Sequence, residues 1–132
     1  MDRRLFLTLL GAGSVAPQVS GQQPPRVRTV ATIPLPAPYD KQTATMVELY
    51  LAPGEPSSAP HRHPGFVLGY VIEGEFRFQV AGEPERVLRA GETFYEQPGA
   101  RHIVSSSASA TRPARVLAIV VANAGDTITQ PL

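Results

Sequence analysis

The chain has 132 residues, enough for one modest hydrophobic core and not for two, and its 12 basic and 11 acidic side chains leave no basic stripe of the kind a nucleic-acid binder needs. Cysteine is absent, which excludes disulfides, thiolate metal ligands, a thiol nucleophile and a lipid-modified N-terminal cysteine, so any metal must be held by nitrogen and oxygen. The 14 prolines and 11 glycines suit turn-rich β structure and fall short of the share that marks disorder.

The first segment reads as an export signal. Asp2-Arg3-Arg4-Leu5-Phe6-Leu7 resembles the bacterial twin-arginine signal, and an uncharged apolar run from Leu5 to Ala16 follows before the polar stretch Gln22 to Pro25. The run is shorter than the about 20 residues a membrane span requires, so no lasting anchor is expected. Residues 1–21 are therefore assigned to a signal peptide and 22–132 to a single domain, with the mature protein expected in the periplasm.

The remainder reads as short strands. Arg26 to Ile33 alternates polar and apolar residues, and Pro34, Pro36 and Pro38 then deny the backbone ladder donors, which predicts an edge strand and a connector. Thr43 to Leu51 is rich in β-branched and large apolar residues and ends at the turn signal Ala52-Pro53-Gly54. Phe66 to Ile72 and Glu75 to Val80 flank Glu73-Gly74, the pattern of a tight hairpin. Arg86 to Ala90 and Glu92 to Gln97 flank Gly91, Ser105 to Thr111 is a polar small-residue loop, and Val116 to Val121 is a continuous apolar run suited to a buried strand. No segment keeps helical periodicity, and many short strands punctuated by Gly and Pro indicate a sandwich, jelly roll or barrel.

The chemistry sits in two places. In an extended His61-Arg62-His63 both imidazoles point to one face and can share a metal, while Arg62 faces away. The third and last histidine, His102, follows the turn Gln97-Pro98-Gly99-Ala100-Arg101 and opens a new strand. All three histidines thus stand at strand starts beside Pro/Gly turns, which a site explains better than chance does.

These segments make the chain resemble a small single-domain (type-2-like) member of the cupin superfamily. The first cupin motif is echoed by Gly54, by His61-Arg62-His63-Pro64-Gly65 and by Gly69 to Glu75; the second by Gly91 through His102. Together they span about residues 54–102. The resemblance implies an all-β double-stranded β-helix, or jelly-roll barrel, with the histidines facing inward and a metal near the open end. The carboxylate that cupins usually supply shortly after the paired histidines is missing, since those positions read Phe66-Val67-Leu68. Glu96 stands where an apolar residue is usual. Counted from an inward Phe94 it also points into the barrel, and a buried carboxylate is either paired or on a metal. It is expected as the fourth ligand beside His61, His63 and His102, the alternative being a pair with Arg101 or Arg62.

Three nitrogens and an oxygen suit one divalent Mn, Fe, Co, Ni, Cu or Zn ion. Export in the folded state favours Mn or Fe, taken up before the periplasm's tightly binding Cu and Zn are met. Tyr50, Phe66, Tyr70, Phe78 and Phe94 are candidates to line an apolar chamber or to fill plain core. With every histidine committed and no glycine-rich phosphate loop, hydrolysis by a side-chain nucleophile is not expected. The resemblance points to a metal-dependent oxidoreductase of the dioxygenase kind acting on a small molecule, with a small-ligand binding module as the other reading and a purely structural metal as the third. The strand Arg26 to Ile33 could pair with a second copy to form a homodimer.

Overall fold

The computed structural model describes residues 22–132; the proposed signal over residues 1–21 lies outside them. The described chain is built from ten strands: β1 (Val27–Pro34), β2 (Gln42–Leu51), β3 (His61–Arg62), β4 (Phe66–Glu73), β5 (Glu75–Val80), β6 (Arg86–Arg89), β7 (Thr93–Glu96), β8 (His102–Ser107), β9 (Ala114–Asn123) and β10 (Gln130–Pro131). They form two five-stranded sheets, in the orders β1-β2-β9-β4-β7 and β10-β3-β8-β5-β6, with every pairing antiparallel. This is the expected all-β jelly roll. Among the described residues no helix is long and apolar enough to cross a membrane.

Alternation decides which face each strand turns inward. In β9, Ala114, Val116, Ala118, Val120 and Ala122 are buried while Arg115, Leu117, Ile119 and Val121 are only half-buried on the other face. The run that reads as uniformly apolar is therefore a strand with one core face and one outer face, central between β2 and β4. Val47 and Leu51 of β2 and Val67 and Val71 of β4 meet the β9 core face. From the opposite sheet come Phe76, Phe78 and Leu88. Phe78 and Phe94 approach to 4.7 Å between ring centroids and Phe76 and Phe94 to 5.4 Å, the offset spacing at which aromatic rings add to simple burial. Gly69 pairs across the sheet with Phe94, and a Cβ there would come within 2.0 Å of the Phe94 ring, so glycine is what lets that ring lie flat across β4.

Three expectations are corrected. Glu73-Gly74 is not a hairpin turn: β4 and β5 lie in different sheets, and Gly74 is the corner where the chain changes sheet. Its φ is +77°, and a Cβ would meet the Pro113 carbonyl oxygen at 2.2 Å, so both conformation and space demand glycine. Secondly, Ser105, Ser106 and Ser107 do not begin a loop but finish β8, buried between β3 and β5. The Ser107 hydroxyl is tolerated there because it donates to the Arg112 carbonyl at 2.8 Å, and the Ser105 backbone N–H is satisfied by the Ser57 hydroxyl, which accepts it at 2.8 Å. Lastly, Tyr50, Phe66 and Tyr70 do not line the barrel. In β4 the inward residues are Val67, Gly69 and Val71, which turns Phe66, Leu68 and Tyr70 to the outer face, where Phe66 packs near Tyr95. The same parity in β2 puts Val47, Leu49 and Leu51 inside and Tyr50 outside.

Candidate metal centre

The site forms where the short β3 is clamped between β8 and β10. Extended backbone at His61-Arg62 sends the two imidazoles to one side and leaves Arg62 exposed on the other, as the two-residue spacing predicts. His61 is directly opposite His102 in the β3–β8 pairing. Consequently the second motif delivers its histidine against the first across one ladder step. The ring centroids of His61 lie 5.0 Å from those of His63 and 4.9 Å from those of His102. One ring nitrogen from each of the three can be chosen so that all lie within 4.8 Å of one another. The loop between β7 and β8 is tied to the same spot, because the Gly99 N–H donates to the His63 carbonyl at 2.9 Å.

Hydrogen bonds fix the rings. His61 Nδ1 lies 2.9 Å from the Ala59 carbonyl oxygen and His63 Nδ1 lies 2.5 Å from that of Ile128. A carbonyl can only accept, so each Nδ1 carries the proton and each Nε2 keeps its lone pair. His102 is 4% exposed and Glu96 is 3% exposed, and Glu96 Oε1 stands 3.5 Å from His102 Nδ1. Neither Arg62 nor Arg101 pairs with Glu96 among the described ion pairs.

Burial dominates the electrostatics. It pushes the Glu96 carboxyl up to about 7. It also pulls His102 down to about 4, with the neighbouring His61 adding in the same direction and the Val104 backbone opposing. His63 is lowered, again by burial first, against the Ile128 carbonyl and with the charge of His61. Both members of the Glu96–His102 pair are thus driven toward their neutral forms, as expected of a site that wants an added positive charge. The described side-chain atoms that are buried without any hydrogen-bond partner are Glu96 Oε1, His102 Nδ1 and His102 Nε2. Leaving such atoms unpaired costs about 1–3 kcal/mol each. Their concentration beside three convergent imidazoles fits a divalent cation, and the donor set suits the first-row ions from Mn to Zn.

The histidines open onto a chamber of about 750 Å³ walled by Val47, Leu49, Val67, Phe94, Val120 and Ile128, with Arg26 and Ser58 also on its lining. Of the five aromatic residues that sequence patterning offered for this wall, Phe94 alone is in it; Phe78 is core beneath His102, at 4.9 Å between rings. Sequence reasoning missed the Ala59 and Ile128 carbonyls, which as backbone groups leave no residue signature. It also missed the aliphatic wall, which the alternation in β4 would have given had its inward parity been set from Val67.

A protein-family model described as "Cupin domain" matches residues 47–120. No curated protein matches the chain. Among solved structures, an uncharacterised protein with a double-stranded β-helix domain from Klebsiella pneumoniae is 22% identical, with 86% of this chain and 88% of that one covered and a TM-score of 0.60. The DMSP lyase DddQ from Ruegeria pomeroyi is 23% identical with a TM-score of 0.55; the match covers 70% of this chain but 43% of the lyase, so the chain spans less than half of that protein's length. A structure described as Fe(II) HppE in complex with substrate is 20% identical, with 58% and 45% covered and a TM-score of 0.51. At these identities the likeness shows the fold.

Proposed function

The chain belongs to the cupin family, and on that premise we propose that it is a metal-dependent oxidoreductase of the dioxygenase kind acting on a small organic molecule held in the chamber. The observation that carries the metal part is the meeting of His61, His63 and His102 within 4.8 Å beside the unpartnered buried atoms of Glu96 and His102. When bound, a divalent Mn or Fe ion would supply Lewis-acid or redox chemistry. The chain's own residues do the rest. His61, His63 and His102 would hold the ion. Val47, Val67, Phe94 and Val120 would bind the apolar body of the substrate and keep water from it. An aromatic or enolic compound with one oxygen free for the ion fits such a wall. Two structural neighbours, an iron(II) protein solved with its substrate and a lyase, support a small-molecule substrate at the level of the fold.

Oxygen uptake by the Fe- or Mn-loaded protein, measured against a panel of phenolic and enolic compounds, tests the reading. Consumption that depends on both metal and compound supports it. Saturable binding of such a compound with no oxygen uptake would make the protein a small-ligand binding module.

Two further parts concern where it acts and with what. Export through the twin-arginine signal at Arg3-Arg4 predicts a mature protein recovered from the periplasm, and an Arg3→Lys, Arg4→Lys double variant retained inside the cell. A homodimer is proposed along β1, which forms one edge of its sheet and so offers unpaired backbone groups to a second copy. Sedimentation at micromolar concentration should give twice the chain mass; a monomer would end that part.

A further inference from the structure

We infer that Glu96 serves the metal centre through His102, accepting the Nδ1 proton of that ring and so presenting its Nε2 to the ion, in place of the direct oxygen ligation that the sequence suggested. The inference rests on the metal reading above, and concerns how one of the three ligands is held. It begins from a symmetry among the rings. His61 and His63 each direct Nδ1 at a carbonyl oxygen, of Ala59 and of Ile128. In both rings this places the proton on Nδ1 and the lone pair on Nε2, the arrangement in which an outer oxygen orients a metal-binding imidazole. In His102 no such bond is in place: the Val104 backbone lies near the ring, but neither ring nitrogen meets a partner in hydrogen-bonding geometry. What faces its Nδ1 is Glu96 Oε1 at 3.5 Å, an atom equally without a partner. One bond between them would satisfy both and complete the pattern on the third ring.

The placement of the carboxylate agrees. The donor atoms that gather within 4.8 Å are those of the three imidazoles, while Glu96 stands against the Nδ1 side of His102. Glu96 ends β7 in one sheet and His102 begins β8 in the other. The loop joining them is pinned to His63 through Gly99. Acceptor and ring thus arrive from opposite sides of the barrel mouth at a spacing that a single short loop sets. Glu96 is a positioning residue on this account. The backbone does for the first two histidines what a side chain must do for the third.

Two readouts test it, one of them independent of any metal. In the ¹⁵N spectrum of the ring nitrogens of metal-free protein, His102 is expected as the Nδ1–H tautomer in the wild type and in Glu96→Gln, whose amide oxygen still accepts. In Glu96→Ala that preference should be lost. In the Co(II)-loaded protein, three exchangeable, hyperfine-shifted ring N–H signals are expected. Glu96→Ala should lose one of them and bind Co(II) about 10- to 100-fold more weakly, with its ligand-field bands in place, and Glu96→Gln should restore both signal and affinity. Ligand-field bands that shift in both variants while all three N–H signals persist would make Glu96 a direct ligand and overturn the inference. If the wild type takes up no Co(II), the metal reading itself fails; a His102 tautomer that ignores Glu96 in metal-free protein is a failure of this inference alone.

Discussion

The two motifs bring their histidines to the same point by opposite means. His61 and His63 lie on and just after a two-residue strand, are half-buried, and are steadied by backbone carbonyls. His102 opens a six-residue strand, is almost wholly buried against Phe78, and faces a carboxylate instead of a carbonyl. The difference teaches where substitution can act. A carbonyl cannot be mutated away, so the first pair is robust to side-chain change around it, whereas the third ligand depends on a side chain that can be removed.

The largest effect expected is from the ligands themselves. His61→Ala and His102→Ala should each reduce bound metal to background in elemental analysis, a loss beyond the about 10- to 100-fold that an outer partner commands. Retention of metal by either variant would break the comparison at its root. Next comes Glu96→Ala, which should lower metal affinity within that range while Glu92→Ala leaves it unchanged, since Glu92 is exposed and accepts from the Arg89 N–H at 2.6 Å far from any histidine role. Equal affinities in the two variants would remove Glu96 from the centre.

A third effect is read in pH. The folded-state value of Glu96 is raised, to about 7 from 4.5, so burial of this carboxyl costs the fold nothing while it is protonated in both states, below about pH 4.5. The cost grows as pH rises from about 4.5, where the unfolded carboxyl ionises while the folded one stays protonated, and levels off above about 7, where both are ionised, at roughly 3 kcal/mol. Metal-free Glu96→Gln, which does not titrate, should therefore gain in melting temperature relative to wild type between pH 5 and pH 8. With metal bound, the nearby positive charge should abolish that gain. A flat difference in metal-free protein would show that Glu96 is not held in an apolar setting. The smallest effect belongs to the outer face: Tyr70→Ser, on an exposed side chain of β4, should change unfolding free energy by about 0.5 kcal/mol or less and leave metal affinity untouched. Loss of metal there would mean that the outer face reaches the site.

The same contrast explains what the sequence made legible. Strand periodicity and the Pro/Gly turns were enough for an all-β sandwich, jelly roll or barrel and for β5 from Glu75 to Val80, which forms with the expected bounds; the cupin resemblance singled out the jelly roll. The two-residue histidine spacing was enough for a shared face. What it could not carry was pairing at a distance. Glu73-Gly74 has the residues of a hairpin, and what marks Gly74 as a corner between sheets is packing against the Pro113 carbonyl, 39 residues on. The serines of β8 look like loop because what satisfies them lies outside the strand, the Arg112 carbonyl for the Ser107 hydroxyl and the Ser57 hydroxyl for the Ser105 N–H. The inward turn of Glu96 could be counted from Phe94, but its neighbour could not: Arg101 was as near in sequence as His102 and Arg62 stood beside the paired histidines, and the crossing of β7 and β8 decides between them.

The central claim is a metal held by three imidazoles, and its most direct measurement is the metal content of the purified full-length protein together with X-ray absorption at that metal's edge. The account predicts about one divalent ion per chain, with His nitrogens as the dominant near neighbours at about 2.0–2.1 Å if the ion is zinc-like in size, and loss of that signal in His102→Ala. No stoichiometric metal in any preparation, or a bound metal whose signal is the same in His102→Ala, would contradict it.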